Sequence, residues 1–263
     1  MKEEAPLGTN GAGPQAHTPE WTSTVVGHHR LRHDLAVIRL IGEFVPFTAG
    51  QSVEVRVPQQ PGVRRRLSPA LPPSLDGKLE FHVRTIPGGW LSGSIVTDTA
   101  PGDEWHIAAP QGAFAVDPDG AEVVMIAGGT GLAPMRAQIL DLARHENPPP
   151  TYLFIGGPFP RDLYAADMLR LLTDELPWLT VIPVVESLDD PRRIDEWYEQ
   201  SRVDIGFPVD DMLQGTLADV IGSHGAFDNH QVLVCGSPAM TRVTVDRLRE
   251  TGTPAERIQF EGI

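Results

Sequence analysis

Val53, Val55 and Val57 alternate with Ser52, Glu54 and Arg56, and this period of two predicts a strand with one buried and one wet face. Comparable runs at 35–40, 79–84 and 104–108 are separated by Gly, Pro and Asp clusters that signal turns. Several short antiparallel strands at this spacing predict a small barrel over 21–114, with one helix near 90–97. The turn-rich segment 109–120 (APQGAFAVDPDG) breaks the pattern, and the domain boundary is placed there.

Beyond it strands alternate with longer helical stretches. Runs at 122–127 (EVVMIA), 151–155 (TYLFI), 179–185 (LTVIPVV) and 231–235 (QVLVC) read as buried strands. Between and after them, Met135, Ile139 and Leu142, then Met168, Leu169 and Leu172, then Met240, Val243 and Leu248 recur at helical spacing. Such alternation implies a parallel sheet with right-handed crossovers, so 115–263 is expected to be an α/β domain. Residues 1–20 hold almost no large apolar side chains, and ordering them would cost entropy without burial; a disordered tail is expected.

Composition narrows the partners. The 263 residues carry 21 Lys and Arg against 35 Asp and Glu, a formal charge of −14 that argues against a nucleic-acid or anionic-membrane surface as main partner. Gly 26 and Pro 25 in a chain that is 41% hydrophobic place the excess turn formers in loops and the tail. The single cysteine, Cys235, cannot form an internal disulfide or hold an iron-sulfur cluster, and no metal site is expected. No run approaches 18 apolar residues and no basic-then-apolar leader opens the chain, so a cytoplasmic location is expected.

Candidate chemistry begins at Gly128-Gly129-Thr130-Gly131-Leu132-Ala133-Pro134. A strand delivers the chain to three glycines and a threonine before a helix starts, so unpaired amides and the positive helix end converge where a phosphate could sit. The same glycines would serve a plain tight turn, because the run departs from G-x-G-x-x-G. A second cluster, Gly88-Gly89-Trp90-Leu91-Ser92, opens the short helix of the first domain and reads either as a phosphate turn or as a hairpin turn leading into a helix. Arg64-Arg65-Arg66-Leu67-Ser68 sets dense positive charge in an acidic chain, suited to phosphate oxygens or to a solvated basic turn.

Taken together, these motifs make 21–263 resemble the ferredoxin-NADP reductase superfamily, in particular the FAD-containing reductase half of bacterial flavohaemoglobins and of oxygenase reductases. Arg65-Arg66-Leu67-Ser68 resembles the family's R-x-[Y/F]-S signature. The resemblance implies that Arg65 contacts the FAD diphosphate, Leu67 packs on the flavin and Ser68 hydrogen-bonds near its N5. It further implies that His82, Val83 and Arg84 form the next FAD-contacting strand, and that Gly88 to Ser92 form the pyrophosphate turn with Ser92 as donor. Gly128 to Pro134 resembles the nicotinamide-dinucleotide turn, and Cys235-Gly236-Ser237-Pro238-Ala239-Met240 resembles the C-G-P-P-x-M segment beside the nicotinamide.

This chain departs from the family pattern at three places. Leu67 replaces an aromatic ring, Pro158 replaces an arginine that helps hold the adenosine end, with Arg161 as a possible substitute, and no aromatic follows Glu261 in the closing strand. The implied function is an FAD-dependent NAD(P)H oxidoreductase that passes electrons from NADH or NADPH to a separate haem, oxygenase or flavoprotein acceptor, with Ser68 and Cys235 at the reacting centre. Alternatives are a reductase of a small diffusible acceptor and a non-catalytic nucleotide-binding module. Outside these motifs, His28, His29 and His33 are read as a surface loop, the run Asp189, Asp190, Asp195, Glu196 and Glu199 as a solvated face, and Trp90, Trp105 and Trp197 as packing residues.

Overall fold

Six antiparallel strands build the first sheet: β1 (Glu20–Arg32), β2 (Leu35–Gly42), β3 (Val53–Arg56), β4 (Arg65–Leu67), β5 (Lys78–Arg84) and β6 (Glu104–Ala108). Their order is β4-β3-β6-β1-β2-β5. A bridge between Pro69 and Phe81, with the Ala70 amide donating to the Glu80 carbonyl at 2.7 Å, joins the two edges, so the sheet closes into a barrel. The computed structural model describes residues 19–86, 88–191 and 207–261. Inside the barrel Phe81 stacks on Trp105 with ring centroids 5.9 Å apart, and helix α1 (Trp90–Asp98) plugs one end with Ile95 and Val96.

Three expectations change here. Glu20 already belongs to β1 and pairs with Arg56 and Arg64, so order begins before the expected end of the tail; residues 1–18 lie outside the described residues. His28 and His29 lie within β1 rather than in a loop, opposite Ile38 and Val37, and His33 stands in the turn that follows. Beyond Val25, which is buried and bonded to the turn at 102–103, the strand pairs only with β2 and its residues are exposed or half-buried, so the sequence there was not held to an apolar alternation. Trp90 is 83% exposed, whereas Trp105 is fully buried; Trp197 lies outside the described residues.

The second sheet is wholly parallel: β7 (Val123–Gly128), β8 (Thr151–Gly157), β9 (Leu179–Val185), β10 (Leu213–Gln214), β11 (Gln231–Cys235) and β12 (Ile258–Glu261), ordered β10-β9-β8-β7-β11-β12. Helices α2 (Leu132–Leu142) and α3 (Ala166–Glu175) cover one face, and α4 (Leu217–Ser223) and α5 (Pro238–Glu250) the other. Met125, Met135 and Ile139 fill the first of these cores, and Ile126, Ile221 and Leu248 the second. Burial on both faces explains why these strands read as continuous apolar runs. Phe114 and Leu35 reach from the barrel side into the first core, which therefore continues under the junction of the two domains.

The chain winds from β7 towards β10 on one side and returns to β11 on the other. That reversal puts a topological switch point between β7 and β11, and open parallel sheets bind ligands beyond the carboxyl ends of their strands at such a point. Pattern reading located β7, β8, β9 and β11; the two-residue β10 and α4 went unread, and β12 was expected only from the family resemblance of the closing segment. No helix among the described residues is long and apolar enough to cross a membrane.

Candidate active site

β4 carries Arg65, Arg66 and Leu67 out of the barrel, and the chain then turns at Ser68. Leu67 packs partly against the barrel core opposite Val53, leaving its remaining surface on a cleft. Arg64 is drawn back to Glu20 at 3.0 Å and Arg66 donates to Gln111 at 2.7 Å, while Arg65 is exposed on the cleft wall. Beside β4, the strand β5 presents His82, Val83 and Arg84. Arg84 donates from Nε to Asp34 at 3.0 Å, and its Nη1 lies 3.3 Å from where a Cβ on Gly129 would stand. A barrel arginine thus reaches the glycine turn of the other domain. Burial works against ionisation of Asp34, but Arg32 and Arg84 overrule it and hold its carboxyl below the usual range.

The turn after β7 needs its glycines. Gly129 has φ +53°, and a Cβ on Gly131 would lie 2.1 Å from the Cys235 carbonyl oxygen, so the turn seats directly against the end of β11. No side chain caps α2 at Gly131; the Leu132 amide turns back onto the Gly129 and Thr130 carbonyls and Pro134 has no N–H, so what the turn offers an anion is close approach to its glycine backbone and the positive end of the helix. Thr130 and Pro134 complete this wall of the cleft.

Across the switch point, Cys235 is buried and its thiol is pushed up to about 12, by burial first and then by the charge of Glu261. It is a neutral thiol at physiological pH, a contact surface rather than an acid or base. Gly236 is kept small by Met240, whose sulfur would stand 2.7 Å from a Cβ there. Ser237 accepts from the Met240 amide at 3.3 Å and caps α5.

One contact joins the two walls at the centre of the cleft: Ser68 Oγ donates to Glu261 Oε2 at 3.2 Å. Burial raises the Glu261 pKa, against the opposing effects of the Ser68 hydrogen bond and the Arg66 charge.

The cleft has a volume of about 1680 Å³. That exceeds the roughly 300–1,000 Å³ of a usual single-ligand pocket. Its walls bring together Arg65 to Ser68, His82 to Arg84, Ser92, the 128–131 turn and the 235–240 segment. Diphosphate groups match this donor set: Arg65, Arg66 and Arg84, the hydroxyl residues Ser68, Ser92, Thr130 and Ser237, and backbone that glycines leave approachable. FAD and a nicotinamide dinucleotide therefore fit the residues present.

Other expected site residues lie elsewhere. Gly88, Gly89, Trp90 and Leu91 do not line the cleft; Leu91 packs into the barrel core, and the Ser92 hydroxyl donates to the Gly89 carbonyl while accepting from the Ile86 amide. Arg161 is also off the cleft and pairs with Asp190, which removes Asp190 from the expected solvated face. Asp189 is exposed, and Asp195, Glu196 and Glu199 lie outside the described residues. Gln111, Glu186 and Thr216 line or buttress the cleft without having been singled out in the sequence, where isolated polar residues after strands carry no periodic signal. Among the described residues no group of three or more metal-ligating side chains converges.

Comparison with known proteins agrees with this geometry. An oxidoreductase FAD-binding domain model matches residues 23–116, and an oxidoreductase NAD-binding domain model matches residues 125–246. The reductase subunit of an aromatic O-demethylase from an Amycolatopsis species is 32% identical over 261 residues, covering 96% of this chain and 72% of the relative. The electron transfer component of xylene/toluene monooxygenase from Pseudomonas putida is 26% identical over 259 residues, covering 98% and 69%. A crystal structure of an Amycolatopsis cytochrome P450 reductase superposes with TM-score 0.75 at 30% identity, covering 97% of this chain and 73% of that one. Against the reductase components of a phenol 2-monooxygenase and a terephthalate 1,2-dioxygenase, and a phenol hydroxylase P5 protein, the chain spans only 54% to 62% of their length. Fold, cleft and matches agree: the chain belongs to the ferredoxin reductase-like oxidoreductases with paired FAD-binding and NAD-binding domains, and is an FAD-dependent NAD(P)H oxidoreductase.

Proposed function

We propose that this chain is the reductase of a multi-component system: electrons enter from a nicotinamide dinucleotide held on the 128–131 turn and leave to a separate protein acceptor. The observation that carries this reading is the Ser68–Glu261 hydrogen bond at 3.2 Å, which places the barrel's cofactor-type loop and the end of β12 at one point, with Cys235 on the neighbouring strand. FAD, when bound, supplies a two-electron acceptor for the nicotinamide hydride and a means of releasing electrons singly.

The protein's own residues orient and shield. Arg65 and Arg66 offer charge to a diphosphate on the barrel side, and Arg84 does so beside Gly129. Leu67 gives an apolar contact where a ring can lie flat, and Gly128 to Gly131 let a second dinucleotide approach the backbone. The Ser68 hydroxyl donates its hydrogen bond to Glu261 while that carboxylate is ionised. When Glu261 takes up a proton, it can donate to Ser68 Oγ and free the hydroxyl hydrogen for the edge of a bound ring.

A separate acceptor is favoured by the relatives above, which are components of oxygenase and demethylase systems. A net charge of −14 favours an acceptor whose docking face is not itself acidic. The test is anaerobic titration of FAD-reconstituted protein with NADH and NADPH, followed by turnover with free FMN and ferric EDTA. Bleaching of the flavin with slow turnover on both small acceptors is expected. No bleaching overturns the reductase reading, and rapid saturating turnover with free FMN overturns the protein acceptor.

A further inference from the structure

A buried polar chain crosses the junction between the domains beside the cleft. Tyr164, just before α3, meets His82 of β5 at 2.9 Å from its hydroxyl to Nδ1, and the two rings pack edge to face with centroids 5.5 Å apart. His82 Nε2 lies 3.2 Å from Glu80 Oε1, and the same carboxylate oxygen accepts from Arg136 of α2 at 3.0 Å. Arg136 also donates to the Ala70 carbonyl at 2.7 Å, at the bridge that closes the barrel. The second domain thus grips β5 from two elements.

Protonation states follow from the contacts. Glu80 is ionised between Arg39 and Arg136, so the ring nitrogen facing it must carry a hydrogen. His82 is then the Nε2–H tautomer, and its Nδ1 accepts from the Tyr164 hydroxyl. Burial keeps His82 neutral and Tyr164 protonated, which suits this arrangement. Both ring nitrogens of His82 are therefore engaged by protein.

Backbone strain falls at the same place. Ala165, immediately after Tyr164, has φ 64°, the one positive-φ non-glycine among the described residues. Two residues before Tyr164, Asp162 is buried and accepts from Arg32 at 2.7 Å. A short segment of the second domain is thus held by the barrel at two points, and the chain leaves it through a disfavoured conformation.

We propose that the Tyr164–His82–Glu80–Arg136 chain is a positioning device that fixes the distance between the barrel and the nucleotide domain, and that His82 acts through it rather than by touching either cofactor. This rests on the reading of the cleft as the hydride-transfer site. A displacement of about 1 Å between reacting groups can cost a hundredfold in rate, so a rigid latch beside the cleft has a direct kinetic consequence.

The test uses Tyr164→Phe, His82→Gln and His82→Leu. In the FAD-loaded protein, Tyr164→Phe is expected to lower the limiting rate of flavin reduction roughly 10- to 100-fold. The NADH Kd and the flavin midpoint potential should stay as in the parent. His82→Gln, which can accept from Tyr164 and donate to Glu80, should recover most of the rate, and His82→Leu should not. In FAD-free protein, hydrogen–deuterium exchange should quicken for Tyr164→Phe at 161–164 and in β5, and remain unchanged in β11. A parental limiting rate in Tyr164→Phe overturns the proposal, as does a shifted flavin potential with unchanged exchange, which would make His82 a cofactor contact. If the parent protein is not reduced by NADH or NADPH, the cleft reading fails on its own, and exchange in the FAD-free protein still decides the latch.

Discussion

Ser68 and Glu261 are separated by 193 positions in sequence and meet at 3.2 Å, one on the loop after β4 and the other at the end of β12. Each stands in a motif of its own domain, and their meeting defines where the two domains share chemistry. Ser68→Ala removes the hydroxyl donor, and the rate of flavin reduction is expected to fall by roughly 10²-fold, the size typical of a lost donor at a reacting centre. The dissociation constant of NADH should be unchanged. Stopped-flow reduction over a range of NADH concentrations separates the two, and a parental limiting rate would remove Ser68 from the role.

Glu80 sets an acid limit on stability. Burial would raise its pKa, but hydrogen bonds from His82 and Arg39 and the charge of Arg136 overcome that and lower it from 4.5 to about 2. A carboxyl with a depressed folded-state value contributes stability above its unfolded pKa, and that contribution is lost as pH falls from about 4.5 towards 2. The shift corresponds to about 3 kcal/mol at pH 7. Urea unfolding of Glu80→Gln should show a loss of that order at pH 7, shrinking by roughly half at pH 3. A difference that does not vary with pH would contradict the assignment.

Gly131→Ala tests the seat of the dinucleotide turn. Its φ of −59° suits any residue, so the expected damage is steric alone: the new Cβ would stand 2.1 Å from the Cys235 carbonyl oxygen. Overpacking of this kind costs roughly 1–3 kcal/mol. A lowered thermal midpoint and a raised KM for NADH are expected together, because the same movement parts β7 from β11.

The two tryptophans in contrasting places should behave differently. Trp105→Ala empties the barrel core and is expected to cost about 3–5 kcal/mol in denaturant unfolding. Trp90→Ala, at an 83% exposed position, should stay within about 0.5 kcal/mol of the parent.

Nucleotide preference offers a separate check. Among the described residues, the cleft wall formed by the second domain carries no Lys, Arg or His, and Glu186 lies at the end of β9. A 2′-phosphate placed there meets a carboxylate rather than a cation, so NADH should be favoured over NADPH. Glu186→Gln is expected to raise kcat/KM for NADPH relative to NADH about two- to fivefold. An unchanged ratio would show that this carboxylate does not face the adenosine end.

Much of this protein was legible before any coordinates. Strands β6, β9 and β11 coincide with the apolar runs that predicted them, because burial on one or both faces writes a period or a run directly into the sequence. Glycines at 128, 129 and 131 announced a turn that side chains would obstruct. The free half of β1 and the short β10 were not legible. From Val26 onward the one is exposed or half-buried at every position, and the other is too brief to show a period.

By itself, then, the sequence determined the type and order of the longer elements and the glycine turn at 128–131 where backbone is left open to a ligand. Tertiary structure decided which residues meet. It brought Arg84 to Gly129, Tyr164 to His82 and Ser68 to Glu261, and it sent Arg161 to Asp190 and Trp90 to solvent. The reason is physical: periodicity records whether a side chain is buried, a property of one residue and its neighbours in sequence. A hydrogen bond between distant residues depends on how sheets close and domains dock, and leaves no repeat along the chain.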